Sequence, residues 1–325
     1  MTADTNTAAA KPIRSSHIWK RFKKQRTLHL FVGIGMMYLL VFAYTPMFGI
    51  LMAFKNYTVT QGIKGIFTSS WAGFNYFIEF YNDYKFYVIV RNTLVLSLLK
   101  VIFTFPVPIL FAIMLNEAKN MAFKRVVQTA SYLPHFISWV VVLGLSFTFF
   151  SSNVGLINQL LLDWGWIGKP LPILTSPNYF WGLAVGSAMW KEAGWWAIIF
   201  LAAISGINPT LYEAAQIDGA GRLARIWHIT LPGIRGTVVV VLILTIGSIL
   251  GGGLVGSNFD QAFLMGNAGN NDTSEIVQTY AFKVGLAQGR YSYAAAIDLV
   301  QSVISVILIF TSNAIARKVS GTSLF

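Results

Sequence analysis

Six stretches of the chain are long and apolar enough to cross about 30 Å of hydrocarbon at about 1.5 Å per helical residue. They lie near 28–54, 88–115, 126–150, 180–207, 237–256 and 295–316. Residues 27–54 contain no Asp, Glu, Lys or Arg. That run is too long for the apolar region of a cleaved signal peptide, which spans about 7–15 residues. The pattern predicts an all-α, polytopic membrane protein with six transmembrane helices. An even number of crossings puts both termini on one side.

Charge decides which side. The chain of 325 residues is 55% hydrophobic and 11% charged, with a formal net charge of +12. Lys11, Arg14, Lys20, Arg21, Lys23, Lys24 and Arg26 all precede the first span. If both termini are cytoplasmic, the inner segments (1–27, 116–125, 208–236 and 317–325) carry 15 Lys and Arg in 75 residues. The outer segments (55–87, 151–179 and 257–294) carry 6 in 100. This is the positive-inside bias, so the basic excess reports membrane orientation. No basic-aromatic module accompanies it, and nucleic acid is not an expected partner. With no cysteine and four scattered histidines, disulfides, thiolate chemistry and spaced metal ligands are not expected. The outer loops are rich in Trp, Tyr, Asn and Gly, as in Trp164-Gly165-Trp166. They suit either an external contact or capping turns on the headgroups.

The polar segment between the fourth and fifth spans is the most structured of the loops. Asn208-Pro209 pairs a favoured N-cap with a proline tolerated in the first helical turn. Leu211, Ala214, Ala215 and Asp218 then fall at helical spacing. Gly219 and Gly221 permit a turn, including one at positive φ. A second short helix, about Arg222 to His228, presents Leu223, Ile226 and Trp227, with Pro232 expected to end it. Glu213 and Asp218 are available to fix the loop by hydrogen bonds. A helix resting on anionic lipid would be lysine-rich on its polar face. This one has two acids and no base between Pro209 and Gly221, which favours a protein partner.

The run Glu213-Ala214-Ala215, Gly219, Ile229 and Leu231-Pro232 resembles the EAA loop of binding-protein-dependent ABC import permeases. Asn92-Thr93, Tyr132-Leu133-Pro134-His135-Phe136-Ile137-Ser138-Trp139 and the closing Ser323-Leu324-Phe325 are similar to the branch that imports oligo- and polysaccharides. Within that branch the likeness runs to bacterial alginate importers, as the first of two permease subunits. Ile226 stands where relatives often carry an aromatic residue, with Trp227 beside it. The resemblance implies a helix-turn-helix coupling loop (208–232) on the cytoplasmic face of an inner-membrane permease domain (28–316). A basic N-terminal segment (1–27) and a short tail (317–325) would flank that domain in the cytoplasm. Ala214 and Ala215 would enter a groove of an ATPase subunit, Glu213 would brace the helix, and Gly219 would form the joint. Asp218 and Trp227 complete the implied coupling set. The implied partners are a second permease, two ATPase subunits, an external solute-binding protein, a carbohydrate and membrane lipid. ATP and magnesium would bind the ATPases, and no cofactor is expected on this chain.

Ionisable residues inside spans are expensive and are candidates for function. Trp190, Lys191, Glu192 and Trp195 sit in the fourth span, and Asp298 opens the sixth. Adjacent helical residues point about 100° apart, so Lys191 and Glu192 are not expected to pair. Lys191 shares a face with Trp195, and Glu192 with Trp196. A cation beside aromatic rings suits a sugar path, especially an acidic one; a polar contact between helices is the competing account. Asp298 would cap its helix or line an outer vestibule. Arg91 and Lys100 face opposite sides of the second span, Arg91 toward headgroups. Pro106 and Pro108 predict a kink there. Gly251-Gly252-Gly253 and Gly256 allow either a break in the fifth span or close helix packing.

No GxxxxGK(S/T), HExxH or GxSxG run occurs. The expectation is therefore a transport subunit that is not itself an enzyme, working by alternating access with ATP hydrolysed elsewhere. An ion-coupled secondary transporter or channel would need deep acids in several spans, and only Glu192 fits. A non-transporting membrane scaffold is the third reading.

Overall fold

The computed structural model describes residues 24–251 and 257–321. Lys11, Arg14, Lys20, Arg21 and Lys23, the glycines at 252, 253 and 256, and Ser323-Leu324-Phe325 lie outside the described residues.

Contacts divide the chain between Leu51 and Met52. The helix α1 (Arg26–Phe54) begins among the described residues of the first stretch. Every side chain from Leu30 to Phe48 is exposed. For an apolar helix in a bilayer, that surface already faces its natural solvent.

Beyond Met52 the described elements are again helical. They are α2 (Gly62–Thr68), α3 (Asn75–Tyr81), α4 (Phe86–Glu117), α5 (Met121–Phe136), α6 (Trp139–Phe150), α7 (Leu156–Asp163) and α8 (Pro177–Ser205). There follow α9 (Pro209–Ile217), α10 (Arg222–Gly247), α11 (Asn258–Met265), α12 (Asn271–Ser274), α13 (Val277–Phe282) and α14 (Tyr291–Ser320). Among the described residues there is no strand, only an isolated antiparallel bridge between Lys55 and Trp71. Four helices (α1, α4, α10 and α14) are each long and apolar enough to cross a membrane. Six are obtained if two bent pairs, α5/α6 and α8/α9, count as one span each.

The bend between α5 and α6 is 105°, so the span expected over 126–150 is not one straight helix. Local chemistry explains it. Pro134 begins a tight turn over Leu133–Phe136, Ile137 and Ser138 are extended, and Ser138 Oγ accepts from Val141 N–H as the N-cap of α6. A proline without an N–H and a serine cap stop one helix and start another.

The fifth span is also shifted. Pro232 does not end the preceding helix; α10 runs unbroken from Arg222 to Gly247, whereas the apolar pattern predicted 237–256. A π turn over Ile226–Thr230 makes this possible, with Leu231 N–H donating to Ile226 O. The wider ladder relieves the collision between the proline ring and the carbonyl four residues back. The same device recurs twice: a π turn over Lys100–Thr104 precedes Pro106, and one over Leu40–Tyr44 precedes Pro46. Pro106 and Pro108 thus leave α4 a continuous helix of 32 residues.

Three apolar cores hold residues 52–321 together. Phe105, Ala112 and Ile113 of α4 pack with Ala197, Phe200 and Ile204 of α8 and with Ile234 and Val241 of α10. Ile89 of α4 joins Phe80, Val277, Tyr280, Tyr293 and Ile297. Leu96 of α4 joins Val142, Phe180, Ala184, Ala262, Met265 and Ile276. The helix α4 contributes to all three. Glycines set the closest approaches: a Cβ on Gly194 would lie 2.1 Å from Ser131 O, and one on Gly247 would lie 2.1 Å from Ile309 Cγ1.

Candidate functional site

The loop between α8 and α10 folds as a short helix, a turn and the first turn of the next helix. Asn208 caps α9, its Oδ1 accepting from Thr210 N–H at 3.1 Å, and Pro209 occupies the first turn. The C-terminus closes in a Schellman motif. Gly219 sits at φ +77°, Ala220 N–H donates to Ala215 O at 2.8 Å, and Gly219 N–H donates to Gln216 O at 3.1 Å. Only glycine adopts that φ without strain. Tyr212 OH lies 2.9 Å from Thr230 Oγ1 and ties α9 to the π turn of α10.

What the loop presents outward is apolar. Leu211, Ile217, Leu223 and Trp227 are 52%, 87%, 82% and 69% exposed. Ala214 is exposed and Ala215 half-buried. Glu213 and Asp218 are exposed, and neither carboxylate hydrogen-bonds to a described residue. The expectation that these acids fix the loop is therefore corrected: Asn208, the Schellman bonds and the Tyr212–Thr230 pair do so.

The residues expected along the fourth span divide between two places. Lys191 and Glu192 are each 5% exposed and lie at the joint between α5 and α6. Lys191 Nζ donates to His135 O at 2.5 Å, and His135 Nδ1 lies 2.8 Å from Glu192 Oε2. Lys191 and Glu192 also approach each other, at 3.5 Å. This overturns the expectation that they do not pair, because two long side chains can wrap toward one point from neighbouring positions. Lys191 stands over the ring of Trp139 at 5.6 Å, while Trp195 stacks on His135 with centroids 4.5 Å apart. The cation thus meets an aromatic residue other than the one helical spacing proposed. Trp190 is half exposed and lines a separate cavity of about 470 Å³, largely apolar, with Val142, Leu145, Phe149 and Tyr179. Asp298 stands well inside α14, which begins at Tyr291, so it does not cap that helix. It lines a second cavity instead.

A larger polar network escaped the sequence reading. Glu275, 6% exposed, is held by Lys85 Nζ at 2.6 Å and Lys283 Nζ at 2.9 Å. Asp83 accepts from Tyr280 OH at 2.5 Å, Tyr293 OH at 2.6 Å and Lys85 N–H at 2.9 Å. Arg91 donates to Asp272 O at 2.7 Å and Asn92 Nδ2 to Glu275 O at 2.9 Å, so Arg91 binds backbone within the protein. Burial pushes the Glu275 carboxyl up, but the bonds and charges of Lys85 and Lys283 outweigh it and hold it below its ordinary range. For Asp83, burial is likewise overcome by the Tyr280, Tyr293 and Lys85 hydrogen bonds, leaving it lowered. Lys85 and Glu275, Asp83 and Tyr280, and Arg91 and Asp272 lie 190, 197 and 181 residues apart, and no local spacing could have shown those pairs. Among the described residues no group of His, Asp and Glu is placed to hold a metal ion.

Comparison with known proteins places this architecture. The model of the binding-protein-dependent transport system inner membrane component family matches residues 104–321. Protein LplB of Bacillus subtilis (strain 168) is 42% identical over 93% of this chain and 92% of its own length. The polygalacturonan/rhamnogalacturonan transport system permease protein YteP of the same organism is 43% identical, over 91% and 89%. A chain from the crystal structure of a bacterial ABC transporter involved in the import of the acidic polysaccharide alginate superposes with a TM-score of 0.83. It has 37% identity, covering 94% of this chain and 99% of that one. A shared family model over more than half the chain, and relatives alike over nearly all of it, lead to one conclusion: this chain belongs to the binding-protein-dependent transport system inner membrane components.

Proposed function

We propose that the chain is the permease subunit of an ATP-driven importer in a bacterial inner membrane, carrying an oligo- or polysaccharide into the cytoplasm by alternating access. An acidic polymer of the alginate or polygalacturonan kind is the candidate cargo. Both termini and the α9–α10 loop lie in the cytoplasm in this reading. A second permease completes the path, two ATPase subunits bind magnesium and hydrolyse ATP, and an external solute-binding protein delivers the sugar.

The observation that carries this reading is the α9–α10 loop: a glycine-closed turn displaying four exposed apolar side chains, with neither Glu213 nor Asp218 bonded to a described residue. A soluble face so built suits a protein groove. In that arrangement Ala214 and Ala215 allow close approach, and Leu211, Ile217, Leu223 and Trp227 anchor the contact. Since α10 continues without a break into the membrane, a push on Trp227 would be delivered straight to the span. The named cargo of YteP and of the alginate importers supports the sugar class, and one of those structures holds an alginate pentasaccharide-bound periplasmic protein.

The test is co-purification from native membranes, wild type beside Gly219→Pro, with partners identified by mass spectrometry. A P-loop ATPase retained by wild type and lost by the variant is expected. Two well-folded proteins with no ATPase on either would turn the reading toward a secondary transporter.

A further inference from the structure

The surface of α3 divides three ways. Phe80 is buried in the core, with Tyr76 packed against the same cluster. Phe74, just ahead of the helix, and Ile78 and Tyr81 within it are 67%, 58% and 71% exposed. Asn75, Glu79 and Asn82 are exposed as well. At about 100° per residue, these two exposed sets form adjoining stripes, one apolar and one polar. Arg290 holds the polar stripe, its Nη2 lying 2.5 Å from Glu79 Oε1. Ring contacts set the depth of the apolar one. Phe54, with which α1 ends, stacks on Trp71 at 5.7 Å and meets Phe74 at 5.6 Å. Tyr81 meets Phe86, the first residue of α4, at 5.4 Å. Along α4 the exposed apolar positions continue through Tyr87, Leu94 and Leu98, at steps of seven and four residues on one helical face.

We propose that α3 is a lipid anchor lying in the membrane–water boundary, with Phe74, Ile78 and Tyr81 in lipid and Asn75, Glu79 and Asn82 in water. Its apolar stripe touches the last residue of one span and the first residue of another, which fixes it at the level where the hydrocarbon ends. Aromatic rings are enriched at that depth, and a helix with one apolar and one polar face lies in the boundary plane. A soluble partner arriving from above would have to reach down to the ends of the spans to cover this stripe. The occupant is therefore lipid, and the solute-binding protein must dock on other outer segments. The depth follows from the spans alone; that the leaflet is the outer one rests on the importer reading. Through the Glu79–Arg290 pair, the anchored helix is tied to the residue that opens α14.

The chain has no cysteine, so single spin labels can be attached through Asn75→Cys, Ile78→Cys, Tyr81→Cys and Asn82→Cys. The experiment uses the complete importer, its other subunits freed of cysteine, in nanodiscs of phosphatidylethanolamine and phosphatidylglycerol. Collisions with oxygen, which partitions into lipid, are compared with those of a water-soluble nickel chelate. Oxygen is expected to exceed nickel severalfold at Ile78→Cys and Tyr81→Cys and to fall below it at Asn75→Cys and Asn82→Cys, with or without the solute-binding protein. Equal access of nickel to all four labels overturns the proposal. So does exclusion of both reagents from the Ile78→Cys and Tyr81→Cys labels: in the importer alone it would make the second permease the cover, and only after the binding protein is added it would make that protein the cover. ATP hydrolysis stimulated by the loaded binding protein is measured on the same nanodiscs. Its absence in wild type counts against the importer reading, while the collision pattern decides the anchor by itself.

Discussion

Gly219 is held at φ +77° with open space around its α-carbon, so backbone strain alone opposes a side chain there. Gly219→Ala should cost about 1 kcal/mol, seen as roughly fivefold less co-purified ATPase, with Gly219→Asn closer to wild type. Gly194 poses the opposite problem. Its φ is helical, but a Cβ would meet Ser131 O at 2.1 Å, whereas one on Gly144 would meet nothing within 4 Å. Gly194→Ala should lower the thermal midpoint through about 1–3 kcal/mol of overpacking, and Gly144→Ala should leave it unchanged. At the α5/α6 joint, His135→Ala would strip Glu192 of its nearest partner and leave Lys191 at 3.5 Å. A loss of about 2 kcal/mol is expected, as for a buried hydrogen bond to a charged group, with Glu192→Gln relieving part of it in a double variant. Residues of this kind differ in how far sequence reveals them. Asn208, Pro209 and Gly219 act within their own turn and were legible there. Lys191 takes its partner from a segment 56 residues away, so helical spacing pointed it at the wrong ring.

Elements show the same division. The caps at Asn208 and Ser138 are local, yet the break between α5 and α6 was hidden inside an apolar run, because hydropathy is blind to direction. Pro134 and Ser138 were the available signal. The ionic network joining the loop between α3 and α4 to α13 and α14 is a second case, and it makes a pH prediction. Asp83 and Glu275 both have lowered pKa values. Such a carboxyl contributes stability above its unfolded value of about 4 and loses it as pH falls through the lower folded value. Lys85, whose raised value survives an opposing burial effect through its bond to Glu275, contributes fully below its ordinary value of 10.5 and loses that contribution as pH rises through the folded value. Thermal unfolding in detergent should therefore be flat near neutrality and fall away below about pH 4. Glu275→Gln should lower the plateau and shrink the acid slope; an unaltered slope would exclude this network as its source.

Over the whole molecule, α4 is the shared member of three cores, with Ile89, Leu96 and Ala112 each fully buried at a different height. Leu96→Ala should cost about 2–5 kcal/mol, while Leu94→Ala, on a 52% exposed position, should cost little because lipid accepts either side chain. Comparing their thermal midpoints checks both. The sequence could place α4 but could not say which of its faces is interior, since lipid-facing and protein-facing residues are alike apolar. The π turns before Pro46, Pro106 and Pro232 have a consequence for inheritance. A π turn is an α-helix carrying one extra residue, and here the extra residue is what makes the proline tolerable. Loss of the proline alone leaves a bulge without a purpose; loss of the residue alone drives the ring into a carbonyl. The two changes should therefore travel together. In a relative with another residue at the position of Pro106, a correct alignment should open a one-residue gap between 100 and 104.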